Sequence, residues 1–103
     1  MLNLIEVIDI KIKELEMYHQ LRENAFRADN SFIADSPKVV NLLLEQEELK
    51  IKSILATREY YDEFENFLKT KNIPIFYLTT KAQMQTIVGH KIHHNCMMHG
   101  IRP

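Results

Sequence analysis

Glycine occurs only twice in these 103 residues, proline three times, cysteine once and tryptophan never. So little glycine and proline leaves no low-complexity linker and no glycine-rich phosphate loop. A single cysteine, Cys96, cannot close an internal disulfide, which excludes a small secreted scaffold held by cross-links. No run approaches the roughly 18 to 20 apolar residues that a membrane-spanning helix needs, and the N-terminus lacks the basic-then-apolar layout of a signal peptide. These absences lead us to expect a cytoplasmic chain with no membrane partner. Walker lysine motifs, nucleophile elbows and CxxC pairs are also missing, so no catalytic residue is assigned.

What is present is enough for one core, since 46% hydrophobic content in a chain of this length fits a single compact domain. The net charge of −1 conceals an uneven distribution. Residues 1–65 hold all 14 acidic residues and a balance of −6, whereas residues 66–103 carry only Lys69, Lys71, Lys81, Lys91 and Arg102, a balance of +5. Such asymmetry points to an anionic partner, usually nucleic acid or a lipid surface, unless the two halves neutralise each other within one fold.

The pattern alternates strand and helix. "SFIAD" (31–35) reads as a strand running into the helix "PKVVNLLLEQ", with Ser36 as N-cap, Pro37 at the first helical position, and Val39, Val40, Leu43 and Leu44 turned inward. "IKSILAT" (51–57) reads as a buried strand. The following helix spaces Tyr60, Tyr61, Phe64, Phe67 and Leu68 along one face, as core residues. "IPIFYLT" (73–79) and "TKAQMQTIV" repeat the unit, with Thr79 or Thr80 as cap and Gly89 at the helix end. Near the start, "VIDIKI" alternates like a strand, and a helix is expected to follow up to about Asn24. We expect residues 1–27 to form an N-terminal extension and helix packed on a domain of residues 28–103. The expected fold is α/β: a three-layer α/β/α sandwich with a mainly parallel sheet covered on both faces.

The densest chemistry lies in "VGHKIHHNCMMHG" (88–100), which holds four histidines and Cys96. A structural zinc site takes four ligands, typically as two close pairs separated by a longer loop, and this chain has no second pair. In an extended strand His93 and Cys96 also fall on opposite faces, with His94 beside Cys96 and His99 beside His93. No metal site is therefore expected. RNA recognition needs cations for phosphates and planar groups for bases, which Lys91, His93, His94 and nearby Lys81 supply. A second candidate surface joins Arg22, Arg27 and Asn30, before the first strand of the domain, to Lys38 at a helix N-terminus, where free N–H groups attract anions.

Two segments resemble a known family. "FIADSPKVVNLLL" (32–44) resembles the phenylalanine, aliphatic, any, Glu-Gly, any, lysine, valine pattern near the start of SpoU (TrmH-type) RNA ribose 2′-O-methyltransferases. "VGHKIHHNCMMHGIRP" (88–103) is similar to the Val-Gly…His-Arg-Gly segment leading into that family's catalytic domain. The resemblance spans about residues 18–103. It implies the substrate-binding domain, whose α/β/α fold is shared with ribosomal and kink-turn RNA-binding proteins, and an rRNA or tRNA partner. It also implies that S-adenosylmethionine and catalysis belong to a separate knotted domain not represented in these residues. On that basis the chain is expected to be a domain fragment or truncated product, inactive alone and binding no cofactor itself. Asp35-Ser36 stands where the family has Glu-Gly, and His93-His94-Asn95 where it has His-Arg-Gly. Lys38 is retained. Alternatives are a free-standing RNA-binding module of the ribosomal-protein kind and a non-catalytic module for homodimerisation or partner docking.

Overall fold

The computed structural model of the chain describes residues 2–11, 15, 18, 30–46, 48–88 and 95–102. Its elements are β1 (Leu4–Glu6), β2 (Ser31–Asp35), α1 (Pro37–Leu44), β3 (Lys50–Ala56), α2 (Arg58–Leu68), β4 (Phe76–Leu78), α3 (Lys81–Val88) and β5 (Cys96–Ile101). The five strands form one sheet in the order β1-β4-β3-β5-β2. β1 and β3 flank β4 in parallel, while β5 runs antiparallel to both β3 and β2. Four strands therefore point one way and only β5 is reversed, so the sheet is mainly parallel.

Alternation along the central strands divides the core between the two faces. Ile54 and Ala56 of β3, Phe76 of β4 and Cys96 and Met98 of β5 meet Val40 and Leu44 of α1 and Tyr60, Tyr61 and Leu68 of α2. On the opposite face Leu55, Tyr77 and Met97 meet Met84 and Ile87 of α3, together with Val7, Leu15 and Tyr18. This is the expected three-layer α/β/α arrangement. Leu68 is fully buried, and truncating a leucine in such a place costs about 2 to 5 kcal/mol.

The buried tyrosines keep their hydroxyls satisfied. Tyr61 donates to the Tyr77 carbonyl at 2.7 Å, Tyr60 donates to Asn41 Oδ1 at 2.7 Å and so ties α2 to α1, and Tyr18 shares a 2.6 Å hydrogen bond with Ser53. Burial pushes the phenols of Tyr18, Tyr60 and Tyr61 and the thiol of Cys96 well above their ordinary pKa values. Cys96 is thus an inert core residue.

Two sequence expectations change. Val39 is 43% exposed, because α1 turns only Val40 and Leu44, one helical turn apart, fully into the core. The first strand is Leu4–Glu6 rather than "VIDIKI", since the pairing with β4 runs from Leu4 opposite Phe76 to Glu6 opposite Leu78. The terminal strand is Cys96–Ile101, and Cys96 and His99 lie on opposite faces of it as expected; the part of the expected extended stretch before residue 95 lies outside the described residues. The expected helix up to Asn24 and the Gly89 cap fall outside the described residues. No described helix is long and apolar enough to cross a membrane.

Candidate nucleic-acid interface

Parallel strands end on the same edge of a sheet, and in open α/β folds ligands bind in the crevice beyond those carboxyl ends. Here β2, β3 and β4 each run into a helix at that edge, and the reversed β5 begins there. The sequence writes each junction in a similar way, a hydroxyl residue followed closely by a base: Ser36-Pro37-Lys38, Thr57-Arg58 and Thr80-Lys81. Short backbone bonds stitch the edge together: Ser36 N–H to the Cys96 carbonyl (3.0 Å), Thr57 N–H to the Asn95 carbonyl (3.0 Å) and Thr79 N–H to the Ala56 carbonyl (2.9 Å). The exposed side chains of Lys38, Arg58 and Lys81 therefore lie along one rim.

The three helix starts use their hydroxyls differently. Ser36 caps α1 by accepting from Val39 N–H at 3.3 Å, yet its φ is 89°, in the region that favours glycine. Such backbone costs on the order of 1 to 3 kcal/mol, and it falls where the SpoU resemblance has glycine. Thr80 caps α3 through a reciprocal pair: its Oγ1 accepts from Gln83 N–H at 3.1 Å, and its own N–H donates to Gln83 Oε1 at 3.0 Å. Of the two expected caps it is Thr80, rather than Thr79, that holds the helix; Thr79 contributes a 2.8 Å bond from its hydroxyl to Gln83 Oε1. Gln83 Nε2 donates to the Val7 carbonyl at 3.0 Å and so joins α3 to the chain after β1. Thr57 stands in the N-cap position of α2 and makes no capping bond.

Between the starts of α2 and α3 lies a crevice of about 450 Å³, lined by Thr57, Arg58, Glu59, Thr79, Thr80, Lys81 and Asn95. Two bases face one carboxylate. The Glu59 carboxyl is held below its ordinary pKa, first by its own backbone N–H and then by the Thr57 hydroxyl. A second crevice, about 470 Å³, sets Glu6, Asp62 and Glu65 against Arg58, a balance that repels a polyanion.

Of the residues singled out from sequence, Lys38 and Lys81 share the carboxyl-end rim. Asn30 does not. It precedes β2, its φ is 67°, and its carbonyl accepts from Arg102 N–H at 2.9 Å at the opposite edge. The length of β2 separates it from Lys38, so the surface grouping Asn30 with Lys38 is divided; a five-residue strand spans about 17 Å. Arg22, Arg27, Lys91, His93 and His94 lie outside the described residues. Among the described residues, no group of three or more histidine, cysteine or acidic side chains is placed to hold a metal ion. Sequence reasoning missed Thr57 and Arg58 and noted Asn95 only within the His93-His94-Asn95 resemblance. The repeated hydroxyl-base pair after each apolar strand was the signal for the first two.

No protein-family model matches the chain, and neither does any curated protein. Solved structures do. An rRNA methyltransferase from Sinorhizobium meliloti superposes with a TM-score of 0.66 at 14% identity, over 97% of this chain and 37% of that one, in its AdoMet-bound crystal structure. A second crystal structure of an rRNA methyltransferase from the same organism gives the same score and identity, over 38% of its chain. The likeness is one of fold. This chain therefore has the α/β architecture of a part of that enzyme, and spans well under half of its length.

Proposed function

We propose that this chain is the RNA-recognition domain of an RNA ribose 2′-O-methyltransferase of the SpoU (TrmH) type, acting on rRNA or tRNA and inactive without a separate catalytic domain. The observation that carries the proposal is the fold likeness: 97% of this chain is covered by little more than a third of an rRNA methyltransferase. The motif resemblance in residues 32–44 and 88–103 and the rim of Lys38, Arg58 and Lys81 support it. In this reading S-adenosylmethionine belongs to the other domain, residues 1–27 pack on the RNA-binding unit, and the protein works in the cytoplasm. Lys91, His93 and His94 extend the grip from the segment just before β5, and Arg22 and Arg27 remain candidates on the N-terminal side.

Phosphate contacts supply most of the affinity of such a surface and make it salt-dependent. Replacing Lys38 and Lys81 by glutamate is expected to weaken binding of a labelled rRNA fragment at low ionic strength. It should also flatten the log–log salt dependence by roughly 0.7 to 0.9 for each phosphate that is no longer neutralised. The same change at Lys50 and Lys52, in the first half of β3, is expected to do much less. Equal losses from both pairs would contradict the assignment of the rim.

A second reading, a homodimerisation or partner-docking module, is favoured by the exposure of Leu42 (61%) and Val39 (43%) on α1. Light scattering decides it: a dimer that Leu42→Glu dissociates would favour docking, and a monomer at all concentrations would remove the homodimer.

A further inference from the structure

We propose that the crevice between the starts of α2 and α3 is a phosphate subsite, holding one phosphodiester of a bound RNA with the Thr57 hydroxyl as its buried donor and Arg58 and Lys81 as its charges. The inference rests on the RNA reading above and locates one contact within it.

Thr57 is the decisive residue. It is only 5% exposed and lines the crevice, and its hydroxyl oxygen has no hydrogen-bond partner. Burying a hydroxyl unpaired is unfavourable, so such a group is retained when something else completes it. A threonine in the N-cap position ordinarily bonds an N–H of the first helical turn, as Thr80 does at α3. Thr57 leaves that bond unmade, so the N-terminal N–H groups of α2 remain directed at the crevice without a side-chain cap.

A second orphan stands beside it. Asn95 Oδ1 is buried without a partner, and the Asn95 backbone carbonyl accepts the Thr57 N–H at 3.0 Å, which fixes the two residues as neighbours. Half a turn of the Asn95 amide brings its NH2 to the same place, and a half-turned amide is a donor. The lining then offers a hydroxyl, an amide, a guanidinium, an ammonium and helix N–H groups. A phosphodiester, which only accepts, matches that set, and a crevice of about 450 Å³ has the size of a small-ligand site.

Glu59 is the exception and sharpens the inference. Its carboxylate feels the Thr57 hydroxyl strongly enough to lower its pKa, although the hydroxyl falls short of hydrogen-bond geometry with any partner. An exposed carboxylate whose pKa is lowered first by its own backbone N–H marks the place where negative charge is favoured, and its exposure lets it swing aside when a phosphate arrives. Glu59 is thus a resident competitor of the phosphate.

The test is fluorescence anisotropy with a fluorescein-labelled 20-nucleotide mixed-sequence RNA at low ionic strength, on Thr57→Val, Thr57→Ser and Glu59→Gln. Thr57→Val is expected to melt close to the unaltered chain, because its hydroxyl has no hydrogen-bond partner to lose and only its effect on the exposed Glu59 disappears, and yet to bind about tenfold more weakly. Thr57→Ser keeps the donor and is expected to bind like the unaltered chain, and Glu59→Gln to bind roughly threefold more tightly. If Thr57→Val and Glu59→Gln both bind normally while reversal of Lys38 and Lys81 weakens binding, the RNA reading stands and the crevice is not its phosphate site. If the unaltered chain binds no RNA, the functional reading falls, and inorganic phosphate decides the crevice alone. Saturable shifts of the Thr57, Arg58 and Lys81 amide signals that vanish in Thr57→Val retain the subsite, and unmoved signals remove it.

Discussion

The starts of α2 and α3 stand on either side of one crevice, each following a parallel strand and each opening with a threonine and a base. At α3 the polar side chains are committed to one another: Thr80 and Gln83 bond twice, Thr79 joins them, and Gln83 reaches across to Val7. At α2 the Thr57 hydroxyl is buried without a hydrogen-bond partner, with an exposed carboxylate nearby. One helix start is built for stability. The other holds polar groups that the folded chain does not use, which is how a binding site differs from a cap.

The difference is open to direct attack. Gln83→Ala is expected to have the largest effect, a loss of about 2 kcal/mol in denaturant unfolding, since it removes one half of the reciprocal cap and the bond to Val7. Next, Thr80→Ala should cost about 1 kcal/mol, while Thr57→Val should change stability by no more than about 0.5 kcal/mol. Equal losses at the two threonines would erase the contrast.

The smallest effect is electrostatic. Because the Glu59 carboxyl titrates below its ordinary value in the folded chain, the stability it contributes is present above the unfolded carboxyl pKa and disappears as the pH falls through the folded one. Thr57→Val removes the hydroxyl contribution and is expected to raise the Glu59 pKa, followed by the pH dependence of its side-chain carbon signal. The part due to Glu59's own backbone N–H should persist. An unmoved pKa would show that the hydroxyl does not face the carboxylate.

Much of this architecture was legible in the residues. β2 occupies Ser31–Asp35 as its alternation and the Ser36-Pro37 signal indicate, and β3, α2, β4 and α3 fall close to the segments read for them. Those signals are local: a cap, a proline, a β-branched run, an apolar face at helical spacing. Misreadings arose where the outcome depends on distant partners. Nothing near Val39 says that α1 would turn only Val40 and Leu44 fully inward. The segment 2–12 is apolar enough for several strand registers, and pairing with β4 selects Leu4–Glu6.

The candidate site was half legible for the same reason. Lys38 and Lys81 stand out as bases at helix starts, but their meeting on one rim with Arg58 and Asn95 follows from strand direction and order. The same topology sends Asn30 to the far edge despite its closeness to Lys38 in sequence. The hydroxyl-base repeat marks Thr57 only as a helix start, where a threonine reads as a cap, and the geometry shows that its side chain makes no capping bond.

The RNA grip proposed above lies at the carboxyl-end rim. Its most direct test is to map an rRNA fragment on the isotope-labelled chain by amide signal changes. The largest changes are expected to cluster at Lys38, Thr57, Arg58, Lys81 and Asn95, with Asn30, Lys50 and Arg102 at the opposite edge little affected. Changes centred on Asn30, Lys50 and Arg102, with the rim silent, would contradict it.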